Sequence, residues 1–265
     1  MTEKEYRKHP AISRSELFKI SESPEKFKHY QEHPEDPTPA LVFGQLFHAM
    51  ALTPETVWEQ FAVMPNVDRR TKMGKEAFEE FESQAEGKTI VSVDMVEQAT
   101  AMCDALNKNE FVKKLLKGEK EKPFFWVDEM TGEECKCRTD ALTEVGENLI
   151  IVDLKSTDNA ETEAFMRSAI KYGYDLQSAM YSEGVKVNTS REPLFVFIAI
   201  EKKPPYAVNI LQADKLIIRR GYDLFREYLG IYHECKTTDN WWGYLGRYNQ
   251  INNLALPAYL AKEVE

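Results

Sequence analysis

The chain has 265 residues, 43% of them hydrophobic, with only 12 glycines and 12 prolines, which excludes a fibrous, low-complexity or wholly disordered protein. Its 34 Lys and Arg against 44 Asp and Glu give a formal charge of −10, so it is not built to coat nucleic acid through bulk electrostatics, although a local grip stays open. No apolar run reaches the roughly 20 residues of a membrane helix and MTEKEYRKHP lacks a signal-peptide core, so a cytoplasmic setting with no membrane contact is expected.

In chain order, Ser13-Arg14-Ser15-Glu16 reads as a capping box, with Ser13 as N-cap of a short helix to about Ile20. Ser23-Pro24 starts a second helix, and HPEDPTP (33–39) is a polar connection. LVFGQLFHAMAL (41–52) is a helix apolar on nearly every side, hence buried. Thr53-Pro54 caps the next. Residues 62–74 read as an aperiodic loop, Lys75–Glu86 as a polar helix, 88–92 as a short strand, and Ser92 or Asp94 as the cap of a helix to about Asn107. Phe111–Lys117 adds a turn or two.

From about Lys122 the pattern changes to strands. PFFWVDE (123–129), CKCRTDAL and LIIVDLK form an antiparallel meander, followed by one long helix over 161–187. PLFVFIAIE (193–201) and YAVNILQ (206–212) are two more strands, Asp214 caps a long helix, and the aromatic-rich tail from Asn240 packs onto the body. The order predicts a single α/β domain over 1–265, mainly helical in 1–120, with the sheet and C-terminal helices in 121–265.

Four cysteines occur, Cys103, Cys135, Cys137 and Cys235, with no CxxC. Cys135 and Cys137 fall on one face of a strand, and structural thiols are expected rather than disulfides, zinc or an iron–sulfur cluster. Basic clusters stand at Arg69-Arg70-Lys72-Lys75, at Lys113-Lys114-Lys117-Lys120-Lys122 and at Arg219-Arg220, each of which reads first as a solvated face.

The chemistry concentrates in the hairpin ECKCRTDALTEVGENLIIVDLK (134–155). With Gly146-Glu147 as its two-residue loop, Asp140 faces Asp153, and directly opposed side chains have Cβ atoms roughly 5 Å apart, where like charges repel. Two facing carboxylates call for a cation between them, and alternation places Lys155 and Arg138 on the same face. Hydrolysis of a phosphodiester needs hard cations held by carboxylate oxygens, to polarise the phosphate and acidify a bound water. Gln177 and Tyr181 share a helix face at i, i+4, as do Gly44 and His48 on the apolar helix. Gly44 removes a side chain one turn before His48 and leaves room for a ligand to approach.

This ordered set resembles the PD-(D/E)xK nuclease superfamily: Gly44-x-x-x-His48, Asp140, Asp153-Leu154-Lys155, then Gln177-x-x-x-Tyr181. It is similar in particular to the RecE-type branch, the exonuclease VIII of phage and prophage recombination, with lambda exonuclease more distant. Ser13, Ser15 and Leu17 with Ser23-Pro24, Glu201-x-x-x-Pro205-Tyr206, and Leu254-x-Leu256-Pro257 extend the likeness over most of the chain.

The resemblance implies a restriction-endonuclease-like core with a central mixed sheet flanked by helices and an N-terminal helical elaboration. Asp140 and Asp153 would ligate Mg²⁺ or Mn²⁺, the Leu154 carbonyl would add a backbone ligand, and His48 would stand in or beside the first shell. Lys155 would be the catalytic lysine, with Gln177 and Tyr181 orienting it or meeting the DNA backbone, and Ser15 and Arg138 as phosphate contacts. The implied activity is 5′→3′ digestion of one strand of linear duplex DNA in a ring-shaped homo-oligomer, handing a 3′ overhang to a single-strand annealing protein in a bacterial host. The chain departs from the superfamily pattern in carrying Asp rather than Glu at 153 and Arg138-Thr139-Asp140 in place of Pro-Asp. It lacks the clustered C-terminal cysteines of the iron–sulfur branch, so no cluster is expected.

Overall fold

The computed structural model describes residues 1, 3–65, 67–68, 70–249 and 251–256, without the side chains of Glu3, Lys4 and Gln84. Arg69 of the first basic cluster and Pro257 with the end of the tail lie outside the described residues.

The N-terminal part runs α1 (Glu3–Lys8), β1 (Ile12–Ser13), α2 (Arg14–Glu22), α3 (Pro24–Glu32), α4 (Pro39–Leu52), a 3₁₀ turn (Pro54–Thr56), α5 (Val57–Gln60), β2 (Phe61–Val63), α6 (Lys72–Gln84), β3 (Thr89–Val91), α7 (Val93–Asn107) and α8 (Glu110–Leu115). The rest runs β4 (Glu119–Val127), β5 (Glu134–Val145), β6 (Asn148–Thr157), α9 (Thr162–Lys171), α10 (Tyr174–Thr189), β7 (Leu194–Glu201), β8 (Val208–Gln212) and α11 (Lys215–Thr238). Helix starts follow side-chain chemistry. Ser13 and Glu16 close the capping box on α2, and Ser23, Ser92 and Asp214 each accept a backbone amide at the starts of α3, α7 and α11. Thr53 gives no side-chain cap, and only the 3₁₀ turn and the four-residue α5 follow it.

The main sheet is mixed, in the order β1-β5-β6-β7-β8 with β4 also on β5. β4, β5 and β6 form the predicted antiparallel meander, β7 joins β6 in parallel, and β8 returns antiparallel. The β5–β6 register is the one the turn residues dictate: Val145 pairs with Asn148 around Gly146, whose φ is +63°. On one face of the sheet, Leu17, Phe27, Leu176, Met180, Phe225 and Leu229 from α2, α3, α10 and α11 pack on Ile151, Phe195 and Phe197. On the other, Phe43, Leu46, Phe47, Met102 and Leu106 from α4 and α7 pack on Val152, Leu154 and Ile198. β6 is thus covered on both faces, which is why its sequence is a continuous apolar run rather than an alternating one.

Beside the missing Thr53 cap, two further expectations fail. Phe61–Val63 is a strand paired in parallel with β3, too short for any period to show in sequence. The helix over 161–187 is two helices, broken at Tyr172-Gly173. Gly173 takes a left-handed φ of +64°, and a Cβ there would come within 2.7 Å of the Phe18 ring. The break turns Tyr172 and Tyr174 toward the sheet end where the candidate site lies.

Candidate active site

One edge of β5 is covered along its length by β4. The opposite edge is shared: β1 pairs with Cys135 and Lys136, while β6 pairs from Ala141 to Val145. Residues 137–140 therefore lie in a fork between two neighbouring strands. β6 continues past the fork to Thr157, held on its far side by β7.

Asp140 sits at the mouth of this fork. Its Oδ2 accepts the Leu154 amide at 2.7 Å and lies 3.5 Å from His48 Nδ1, which reaches in from α4. In a strand, the N–H and C=O of one residue point to the same edge. The Leu154 carbonyl therefore faces the fork as well, although its side chain is wholly buried in the opposite core. Gly44, one turn before His48, faces open space: a Cβ built there meets nothing within 4 Å.

Asp153, 2% exposed, is the buried carboxylate of the site. Its Oδ1 accepts from Gln177 Nε2 at 2.5 Å, and its Oδ2 meets Lys155 Nζ at 2.6 Å as an ion pair without a further hydrogen bond. Burial pushes its pKa up, Asp140 adds to the rise, and Lys155 and His48 oppose it. For the Lys155 ammonium, burial pulls the pKa down, but Asp153 and Asp140 outweigh it and the shift is upward. Lys155 Nζ also lies 4.9 Å from the centroid of the Tyr174 ring. The Tyr181 phenol is pushed well above its usual range by burial first, with Asp153 and Asp140 among the groups that add to the rise.

The two phosphate candidates fare differently. Arg138 is engaged by Glu121 Oε2 at 2.7 Å and lies over the Tyr6 ring. Ser15 is exposed in the first turn of α2. Its neighbour Arg14, which the sequence reading used only as part of a capping box, points into the site. Its Nη2 donates to the Tyr172 carbonyl, its guanidinium lies 5.1 Å from the Phe18 centroid and 5.9 Å from that of Tyr174, and its Nε is buried without a partner among the described residues. Burial lowers its pKa, with Tyr181, Asp153 and Tyr174 pulling the other way. Lys120 was also missed as a site residue. It pairs with Ala141 in the β4–β5 ladder, and its pKa is lowered by burial against the pull of Asp140. Its only sequence signal was membership of a basic cluster, most of which is ordinary surface: Lys113 pairs with Glu110 and Lys122 with Glu119.

Among the described residues, no three His, Cys, Asp or Glu side chains stand in a metal-holding cluster. The donors nevertheless fit a hard divalent cation. Asp140, Asp153 and the fork-facing edge of Leu154 supply hard oxygen donors, and among the described residues the buried Asp153 Oδ2 meets an ammonium but makes no hydrogen bond.

Comparisons with known proteins give the family and the fold. Residues 13–253 match a family described as a PDDEXK-like domain of unknown function (DUF3799). The chain belongs to this family. The restriction-endonuclease-like fold and the likeness to the PD-(D/E)xK superfamily are thereby established. No curated protein matches. A crystal structure of a provisionally named exonuclease from Eubacterium rectale superposes with a TM-score of 0.63 at 15% identity, over 98% of this chain and 97% of that one, and so shares the fold. The structure of SSO0001 is more distant, with a TM-score of 0.42 at 12% identity over 86% of this chain and 81% of that one. Among the described residues, no helix is long and apolar enough to cross a membrane.

Proposed function

We propose that this chain is a divalent-metal-dependent nuclease that hydrolyses DNA phosphodiester bonds from an end, as a RecE-type 5′→3′ exonuclease. One observation carries the reading. At a single fork in the sheet, Asp140 accepts the Leu154 amide and raises the pKa of the neighbouring buried Asp153, which holds Lys155 on Oδ2 and Gln177 on Oδ1.

Asp140, Asp153 and the Leu154 carbonyl would hold Mg²⁺ or Mn²⁺, which when bound supplies the charge that polarises the phosphate and acidifies water. Gln177 fixes the rotation of the Asp153 carboxylate, and His48 steadies Asp140 from the other face of the sheet. Lys155, held protonated between two carboxylates and the Tyr174 ring, orients the attacking water and balances charge on the phosphate as it becomes pentavalent. Arg14 offers its buried, unpartnered Nε and the rest of its guanidinium to a phosphate oxygen. A ring of copies enclosing the duplex would reconcile binding with the net charge of −10, and a single-strand annealing protein would take up the 3′ overhang.

The test is a time course with Mg²⁺ on 5′-labelled linear duplex beside covalently closed circular duplex. Early release of labelled mononucleotide with the circle intact is expected. A nicked or linearised circle would mean an endonuclease of the same superfamily, and no hydrolysis of either substrate would mean a non-catalytic DNA-binding protein.

A further inference from the structure

The helix break at residues 172–173 sets an exposed aromatic ring next to Tyr174, the ring that lies by Lys155. Tyr172 is 48% exposed, and its ring centroid lies 6.0 Å from that of Tyr174 at an interplanar angle of 33°. Tyr174 in turn lies over Lys155 Nζ at 4.9 Å. The backbone is locked from two sides: Arg14 donates to the Tyr172 carbonyl, and the left-handed Gly173 lies against Phe18. An exposed tyrosine on a rigid turn is not required by the fold, since the core beneath is already filled by Phe165, Tyr174 and Phe197, whose ring centroids are 5.6 to 6.0 Å apart. On α9, Met166 and Ile170, four residues apart, are also exposed, at 45% and 39%. The Lys171 ammonium also lies 5.3 Å from the Tyr172 ring centroid, on a flexible, exposed stem.

We propose that Tyr172 is a stacking subsite for an unpaired nucleobase next to the scissile phosphate. The inference rests on the nuclease reading. It adds that the strand being cut is read as separated bases, at least over the nucleotide that meets the turn. Stacking on an aromatic ring is tolerant of base identity, because every base has a π-face, so the subsite would hold the strand without imposing a sequence. Lys155 and Arg14 flank Tyr174, so backbone phosphates on either side of such a base would meet cations.

The test uses the full-length chain and the variants Tyr172→Ala and Tyr172→Phe, on linear duplex with Mg²⁺. Ordinary ends are compared with ends that carry an abasic nucleotide at the first position. For Tyr172→Ala, KM on ordinary ends should rise about 10-fold or more, with kcat nearly unchanged. The same variant should match the parent on abasic ends, where there is no base to stack, and Tyr172→Phe should restore KM on ordinary ends. An equal loss for Tyr172→Ala on both ends, or no loss on either, overturns the subsite. So does a changed sedimentation coefficient for Tyr172→Ala, which would make this surface a contact between copies. If the parent chain degrades neither substrate, the nuclease reading fails and the subsite fails with it; an active parent beside an unaltered Tyr172→Ala sinks the subsite alone.

Discussion

Asp140 Oδ2 accepts the Leu154 amide hydrogen at 2.7 Å, at the level where the β5–β6 ladder would have its next rung. The side chain substitutes for a backbone carbonyl at the point where the strands part. One carboxylate thus satisfies a strand amide and forms one wall of the candidate metal site. The two roles separate by substitution. Asp140→Asn keeps an acceptor oxygen but loses charge, whereas Asp140→Ala leaves the Leu154 amide without its partner. Both variants should lose DNA degradation. Only Asp140→Ala should also lose stability, by about 1–3 kcal/mol, the typical effect of an unsatisfied buried donor. Denaturant unfolding of the two variants beside the parent checks this, and equal stabilities would show the Leu154 bond to be unimportant.

The carboxylate pair should make metal binding visible as stability. A ligand that binds the folded state alone at 100 times its Kd adds about 2.7 kcal/mol. Saturating Mn²⁺ or Mg²⁺ should therefore raise the Tm of the parent by several degrees and leave Asp153→Asn nearly unmoved. Chelation should stop degradation of linear duplex. A metal-dependent Tm rise of full size in Asp153→Asn would place the cation elsewhere.

Gly44 separates space needed by a ligand from space needed by the fold. A Cβ built there meets nothing within 4 Å, so Gly44→Ala should be neutral or should stabilise α4 by about 0.5–1 kcal/mol through helix propensity. Gly44→Leu should also fold, but its side chain would fill the gap on the face that carries His48. Its DNA degradation should fall at least ten-fold while thermal unfolding stays close to that of the parent. Full activity in Gly44→Leu would show that nothing approaches along this face.

A second buried cluster governs acid stability rather than chemistry. Asp128, 3% exposed, accepts from Arg226 Nη2 at 3.1 Å, also pairs with Nη1, and accepts from the Thr131 amide and hydroxyl at 2.8 and 2.7 Å. Burial alone would raise its pKa, but Arg226 and Thr131 bring it down to about 2. A depressed folded-state pKa stabilises the fold above the unfolded value near 4, and that stability is lost as pH falls toward 2. It amounts to about 2 kcal/mol by linkage. Glu133, held by His233 at 2.9 Å and Lys236 at 2.6 Å, is shifted in the same direction. Arg226→Ala should abolish most of the Asp128 share, destabilise the fold at pH 7, and flatten the loss of stability between about pH 4 and 2. Urea unfolding at a series of pH values measures both effects.

Much of this protein is written in local patterns. The caps at Ser13, Ser23, Ser92 and Asp214, the meander and the β5–β6 register follow from nearest-neighbour chemistry and a turn glycine, which act within a few residues. So does the placement of Asp140 and Asp153 near one another, because a two-residue turn fixes which positions face. What failed was equally local in kind but lacked a length signal. A three-residue strand at Phe61 shows no period, and a helix pattern runs unbroken through Gly173 because one residue's φ is set by what packs beneath it.

By itself, then, the sequence determined most of the elements and the β5–β6 register, since propensity, capping and alternation are short-range. Only the tertiary structure decided that β5 is shared between β1 and β6, which opens the fork in which Asp140 turns to Leu154 and His48. It alone brought Arg14, 126 residues before Asp140, and Tyr172, behind a helix break, to the same place. Those contacts depend on sheet order and on two helices folding back across a strand end, and no spacing along the chain encodes such long-range closure.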